Sequence, residues 1–200
     1  MSEAVEVLRQ FKGFSYFTEM SDIINRLEDH VASARMKTTP VIDFEKNESL
    51  KGLDYLDTIY HAIVNEHPIQ LKYRSFKARS ANSFIFYPYL LKEYRNRWFV
   101  YGVRGNGRIL QNLALDRIQS LEVLPQEHYI KNTFFDPNTF FDDLVGVTKN
   151  SGSIAEKVGF KVAAAEAPYI ITKPIHRSQQ VVERLADGSV ILEIEVVINH

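Results

Sequence analysis

The 200-residue sequence contains no cysteine. Disulfides, thiolate metal sites and cysteine nucleophiles are thereby excluded, and the absence fits a reducing, cytoplasmic setting. No apolar run reaches the roughly 20 residues that a membrane helix needs, so no membrane partner is expected. The opening, MSEAVEVLRQFKGF, is charged from residue 3 and has no apolar segment of the signal-peptide kind. There is no tandem repeat, P-loop, G-x-S-x-G or dinucleotide glycine fingerprint. The histidines are scattered, and His61 and His67 are six residues apart, a poor spacing for two metal ligands on a helix. Asp142-Asp143 is a carboxylate pair without an evident catalytic partner and reads as helix capping or a solvated face. No catalytic residue, metal or cofactor is expected, and an enzyme is not.

What is present is a local surplus of one charge. Between Lys72 and Arg117 stand ten Lys or Arg and two acids, Glu93 and Asp116, a formal charge of +8 in a chain whose net charge is −1. Everything outside that window therefore sums to −9. Ten of the 24 aromatics fall in the same window. Phosphates pair with Arg and Lys while bases stack on aromatic rings, so the window suits a nucleotide or a single-stranded nucleic acid. A β-rich core with a solvated basic face accounts for the same composition, because strands are enriched in aromatics.

Apolar spacing predicts helices over 3–12, 16–33 and 53–65, and a strand over 41–45. From residue 69 the pattern changes to short aromatic and β-branched runs. These predict strands over 69–76, 83–91, 97–104 and 107–113, a single helical turn at Leu115-Asp-Arg-Ile118 and a fifth strand over 119–124. Gly105-Asn-Gly107 is the clearest hairpin signal. Five short strands entered from a helix argue for a small antiparallel barrel. After it come a linker, with a short helix near 140–145, and a β-α-β-β run: strand 154–162, helix 164–171, strand 178–185, an Asp187-Gly188 turn and strand 189–198. The expected fold class is α+β, divided into a helical connector at 1–50, a β-barrel domain at 51–125, a linker at 126–153 and a partial α+β unit at 154–200. That last run stops at His200 without a covering helix, so truncation is expected there.

Four segments, Leu71-Lys-Tyr-Arg-Ser75, Tyr87-Pro-Tyr-Leu90, Arg97-Trp-Phe-Val-Tyr-Gly102 and Leu113-Ala-Leu-Asp-Arg-Ile118, together resemble the WYL domain over roughly residues 55–125. The tripeptide that names the family stands here as Trp98-Phe99-Val100, with two conservative replacements. Ala167-Pro-Tyr169, Lys173-Pro-Ile-His-Arg-Ser-Gln179 and Asp187-Gly188 are similar to the extension that commonly follows such a domain. The resemblance implies an Sm- or SH3-like barrel that senses nucleotide-like or single-stranded nucleic-acid ligands in a bacterial transcriptional regulator. It also implies a homodimer, with promoter DNA reached only through a winged helix-turn-helix that is missing here. The helices over 3–33 resemble the connector that normally follows that DNA-binding unit.

Seven residues are candidates for the ligand site: Tyr73, Arg74, Tyr89, Trp98, Arg104, Arg108 and Arg117. Arg74 reads as an anion ligand or a solvated strand charge, and Tyr73 as its core-facing neighbour. Trp98 shares a strand face with Val100, Gly102 and Arg104, as a core anchor or a stacking platform. Arg104 is a candidate phosphate contact, and Arg108 lies upstream of Gln111 and Asn112, where family members often carry an arginine. Arg117 is either a ligand contact or half of an ion pair that holds its turn. The expected function is the effector-sensing, non-enzymatic half of a regulator. The alternative is a dimerisation scaffold whose basic patch meets an acidic protein surface. Phe17, Met20, Ile23, Ile24 and Leu27 form the apolar face expected to self-associate.

Overall fold

The computed structural model describes residues 51–105 and 107–199. The expected helices over 3–12 and 16–33, the strand over 41–45 and Asn106 of the glycine turn lie outside the described residues. The chain divides into two compact units between Lys131 and Asn132.

The first unit opens with a 3-10 turn, Leu53–Tyr55, and helix α1, Leu56–Val64. Leu56, Ile59 and Ala62 recur every three residues and are all buried, so one face of α1 enters the core. Five strands follow: β1 (Ile69–Tyr73), β2 (Asn82–Tyr94), β3 (Arg97–Arg104), β4 (Gln111–Ala114) and β5 (Ile118–Val123). They form one antiparallel sheet in the order β4-β3-β2-β1-β5. Its inner face packs Ile69, Leu71, Phe86, Val100, Leu113, Leu115 and Ile118 against α1. The strand count and the antiparallel sense agree with expectation. The sheet is open: β4 and β5 are its two edges, joined along the chain by a 3-10 turn, Leu115–Arg117, and by no strand pairing.

Several boundaries differ from those read in the sequence. The strand expected over 69–76 ends at Tyr73, because the Arg74 N–H turns to the Arg117 carbonyl (3.2 Å) and Ala78 closes a turn on Ser75. Phe76 therefore sits in a loop. β2 runs on to Tyr94, past the expected end at 91, and folds back through Arg95 and Asn96. Both residues adopt positive φ (49° and 57°), the backbone of a tight two-residue hairpin. The strand expected over 107–113 begins only at Gln111, which leaves Arg108 in the preceding loop. β3 is buried on both faces from Phe99 to Val103. Gly102 lies where β2 shifts register after Pro88, and a Cβ there would stand 2.1 Å from the Tyr87 carbonyl oxygen.

In the second unit, β6 (Ala155–Val162), helix α2 (Ala167–Thr172), β7 (Gln180–Arg184) and β8 (Val190–Val197) follow the expected order. The sheet order is β6-β8-β7, all antiparallel. β8 alternates: Val190, Leu192, Ile194 and Val196 are buried, and the first two pack with Val162, Ala167, Ile170 and Ile171. The opposite face carries Lys157 and Glu193, 2.9 Å apart. The short helix expected near 140–145 is not formed. Residues 137–143 make hydrogen-bonded turns instead, because the Asp136 carboxylate accepts from the Asn138 N–H and the Thr139 hydroxyl. Residues 132–153 group with the second unit: the Val197 N–H donates to the Asp143 carbonyl (2.7 Å), and the Asn199 amide donates to the Val145 and Thr148 carbonyls. Among the described residues no helix is long and apolar enough to cross a membrane.

Candidate functional site

The turn Leu115–Arg117 builds one corner of the first sheet. Leu115 is fully buried and pins the turn, which leaves Asp116 and Arg117 at the sheet end. Asp116 Oδ2 lies 3.4 Å from Arg97 Nε, and Oδ1 lies 3.9 Å from Arg117 Nε. The second separation is too long for a hydrogen bond. Arg117 Nε and Asp116 Oδ1 are both buried and neither has a hydrogen-bond partner among the described residues. Such atoms are uncommon in folded proteins, because each costs desolvation without compensation. The Arg117 guanidinium is held by a ring, with its Cζ 4.2 Å from the centroid of Phe76, and by a hydrogen bond to the Tyr73 phenol. Arg74, Ser75 and Phe76 from one side and Asp116 to Gln119 from the other line a recess of about 320 Å³.

Tyr73 flanks this corner and packs on the core. Burial pushes its phenol pKa up, opposed by the Arg117 charge and by hydrogen bonds from Arg117 and the Ala114 backbone. Arg104 is exposed, with its Cζ 4.2 Å from the Phe84 ring centroid. Register relates the two arginines. Arg104 is opposite Phe86, Phe84 is opposite Leu71, and Tyr73 follows Leu71 by two residues on the same face. Arg104, Phe84 and Tyr73 thus share one face toward one end of the sheet, and Tyr73 takes a hydrogen bond from Arg117 there.

The other three candidates lie apart from this corner or serve the core. The Tyr89 hydroxyl donates to the Ile130 carbonyl (3.0 Å), and its ring meets Tyr129 edge-on at 6.2 Å. Tyr129 in turn donates to the Pro88 carbonyl. Tyr89 therefore fastens residues 129–130 to the sheet. Trp98 packs against the hydrophobic core, half-buried. Arg108 is exposed in the loop before β4. The sequence reading passed over Phe76 and Arg97 as site residues. Phe76 carried a usable signal: an aromatic between Arg74 and Lys77 that interrupts strand alternation.

A second recess, of about 460 Å³, is lined in the second unit by Asp142, Asp143, Ala155, Arg177, Ser178 and Glu195. Its two aspartates and its arginine are already paired. Arg177 Nη2 is 2.7 Å from Asp142, Lys149 Nζ is 2.7 Å from Asp143, and the Ser178 hydroxyl accepts from the Glu195 N–H (2.8 Å) and shares a 2.7 Å hydrogen bond with His176 Nδ1. Among the described residues no group of three His, Asp or Glu is placed to hold a metal ion.

Residues 54–123 match the family model of the WYL domain. No match is found among curated proteins. Among solved structures, proteasome accessory factor B/C (PafBC) of Arthrobacter aurescens is similar at 15% identity with a TM-score of 0.37. The match covers 76% of this chain and 22% of that one, so the chain spans under a quarter of that protein's length.

Proposed function

We propose that the chain is the effector-sensing part of a transcriptional regulator and that its first sheet binds a nucleotide or single-stranded nucleic acid. The WYL-domain match over residues 54–123 supports the regulatory reading. The observation that carries the ligand reading is the charge count at the recess. Arg74 and Arg117 line it with one carboxylate, Asp116, which Arg97 also meets at 3.4 Å, beside an exposed aromatic ring. A single acid cannot neutralise three guanidinium groups, so the corner keeps a positive field that an anion completes. Arg104 over Phe84 extends the same pattern. In this reading the five-stranded sheet is of the Sm-like kind, the chain works without catalysis or cofactor, and it acts as a cytoplasmic homodimer. Ligand binding regulates only to the extent that it favours one arrangement of that dimer over another.

The test is titration of the 200-residue chain with oligothymidylate at several salt concentrations. Phosphate contacts release counterions, so the logarithm of affinity should fall linearly with the logarithm of salt. Arg74→Ala and Arg117→Ala should flatten that slope and weaken binding. An affinity indifferent to salt and to both substitutions would refute the reading. Binding of an acidic protein surface with no response to oligonucleotides would favour the scaffold alternative, for which the −9 outside the basic window supplies a motive.

A further inference from the structure

Sequence reasoning assigns ring stacking to Tyr73, Tyr89 and Trp98, and each has other work in the fold. Tyr73 and Trp98 pack on the core, and Tyr89 is held by Ile130 and Tyr129. Phe84 lies half-buried beneath Arg104. Phe76 differs. It stands in the loop between β1 and β2 with 76% of its surface exposed. Arg117 covers one face of its ring at 4.2 Å, and that exposure leaves the opposite face open to solvent. The same loop carries exposed Arg74, Lys77 and Arg79, within six residues of chain. Arg74 is fixed to the corner through the hydrogen bond from its N–H to the Arg117 carbonyl and through Nε to the Ala78 carbonyl (3.5 Å).

Resting on the nucleic-acid reading above, we infer that Phe76 is the specificity-determining residue of this corner: a platform for one flat ring, flanked by cations for the adjoining phosphates. A ligand ring on the open face makes a three-layer stack of ring, Phe76 and Arg117. Stacking on an aromatic is tolerant of base identity, because every base has a π-face. The recess and loop therefore select for the presence of a base next to a phosphate and not for its sequence. Nucleotides and single strands share that chemistry. With one platform at the corner, a single ring is read.

The experiment compares three probes on the intact chain: oligothymidylate, an abasic oligomer with the same number of phosphates, and thymidine monophosphate. The parent should prefer oligothymidylate to the abasic strand. Phe76→Ala should weaken oligothymidylate by roughly tenfold or more, the usual size of one lost stacking contact, and weaken the abasic strand far less. Phe76→Trp should restore the preference. Circular dichroism confirms that each variant is folded. Mononucleotide binding as tight as that of the oligomer assigns the site to free nucleotides, and much weaker binding assigns it to strands. If Phe76→Ala weakens both strands equally, the ring only props Arg117 and the inference falls. If the parent binds both strands equally and Phe76→Ala changes neither, the anion site stands and the stacking role is lost. If the parent binds none of the probes, the nucleic-acid reading falls with it.

Discussion

Cations meet acids differently in the two units. In the second unit, Lys149, Lys157, Lys161 and Arg177 each stand within 3.3 Å of a carboxylate oxygen. In the basic stretch of the first, between Lys72 and Arg117, one carboxylate, Asp116, serves Arg97 and Arg117 at 3.4 and 3.9 Å. Arg74, Lys77, Arg79, Arg104 and Arg108 have no ion pair among the described residues. Paired charges on a sheet face give hydration without a field, whereas surplus charges of one sign at a sheet end give a field that draws counter-ions. Sheet burial differs in the same sense. β3 is buried on both faces, and β8 alternates between core and solvent. The first sheet is packed tightly enough to hold arginines in place. The second is a one-sided layer whose polar face is self-contained.

The largest expected effect probes that packing. Gly102→Ala should cost about 3 kcal/mol or more, because its Cβ would press on the Tyr87 carbonyl oxygen and on the Phe86 ring at 2.7 Å. Gly159→Ala in β6 meets nothing closer than the Leu192 carbonyl oxygen at 4.0 Å and should stay within about 0.5 kcal/mol of the parent. Urea unfolding checks both. Trp98, the sole tryptophan, reports the first unit by fluorescence, and circular dichroism reports the pair. Equal losses would erase the packing contrast.

Next comes the charge contrast itself. Arg117→Ala should weaken oligothymidylate binding by about 1.5–3 kcal/mol, the worth of a charge-assisted contact, while Arg177→Ala in the second unit should leave it unchanged. A comparable loss from Arg177→Ala would show that the positive field is not local. Double-mutant cycles then sharpen the distinction between held and solvated pairs. Lys149–Asp143, with side chains 21% and 31% exposed, should couple by about 1 kcal/mol. Lys131–Glu66, at 70% and 51%, should couple by less than about 0.5 kcal/mol and lose that in salt.

The smallest effect is confined to acid. The Ser189 hydroxyl and N–H, with Lys161 nearby, hold the Asp187 carboxyl down to about 2 from its ordinary 3.8. The native fold therefore favours the ionised form. Its contribution is complete above the ordinary carboxylate range and disappears as pH falls toward about 2. Carboxyl titration by NMR should find Asp187 ionised below pH 3, and Ser189→Ala should return it toward 3.8. An unshifted Asp187 in the parent would mean that the turn is not held as described.

Much of the fold was legible because burial writes a period into the chain. The three-residue spacing of Leu56, Ile59 and Ala62, the alternation in β8 and the Asp187-Gly188 turn each reflect one local constraint. The turn at Leu115–Arg117 was legible for the same reason. The tightness of the hairpin at Arg95-Asn96 was not, because arginine at positive φ carries no turn signature of its own and the sheet imposes it. Site residues were harder. Tyr89 and Phe76 look equivalent in a basic, aromatic window. What separates them is the distant Ile130 carbonyl that captures one, and the end of β1 that releases the other into a loop. Both are tertiary facts that local pattern does not contain.

The two-residue turn at Arg95-Asn96 also bears on the order of assembly. β2 and β3 are adjacent in sequence, so their pairing closes almost no loop and belongs to the microsecond hairpin regime. The β1–β5 ladder joins Ile69 to Val123 and must close most of the domain first, at a far larger entropic cost. Arg74 follows β1 directly, and Arg117 immediately precedes β5. The two arginines therefore become neighbours only at this long-range closure, after the hairpin exists. A molecule that grips both recognises the finished domain and not its partly folded forms, and its binding energy adds to the stability of the completed fold alone.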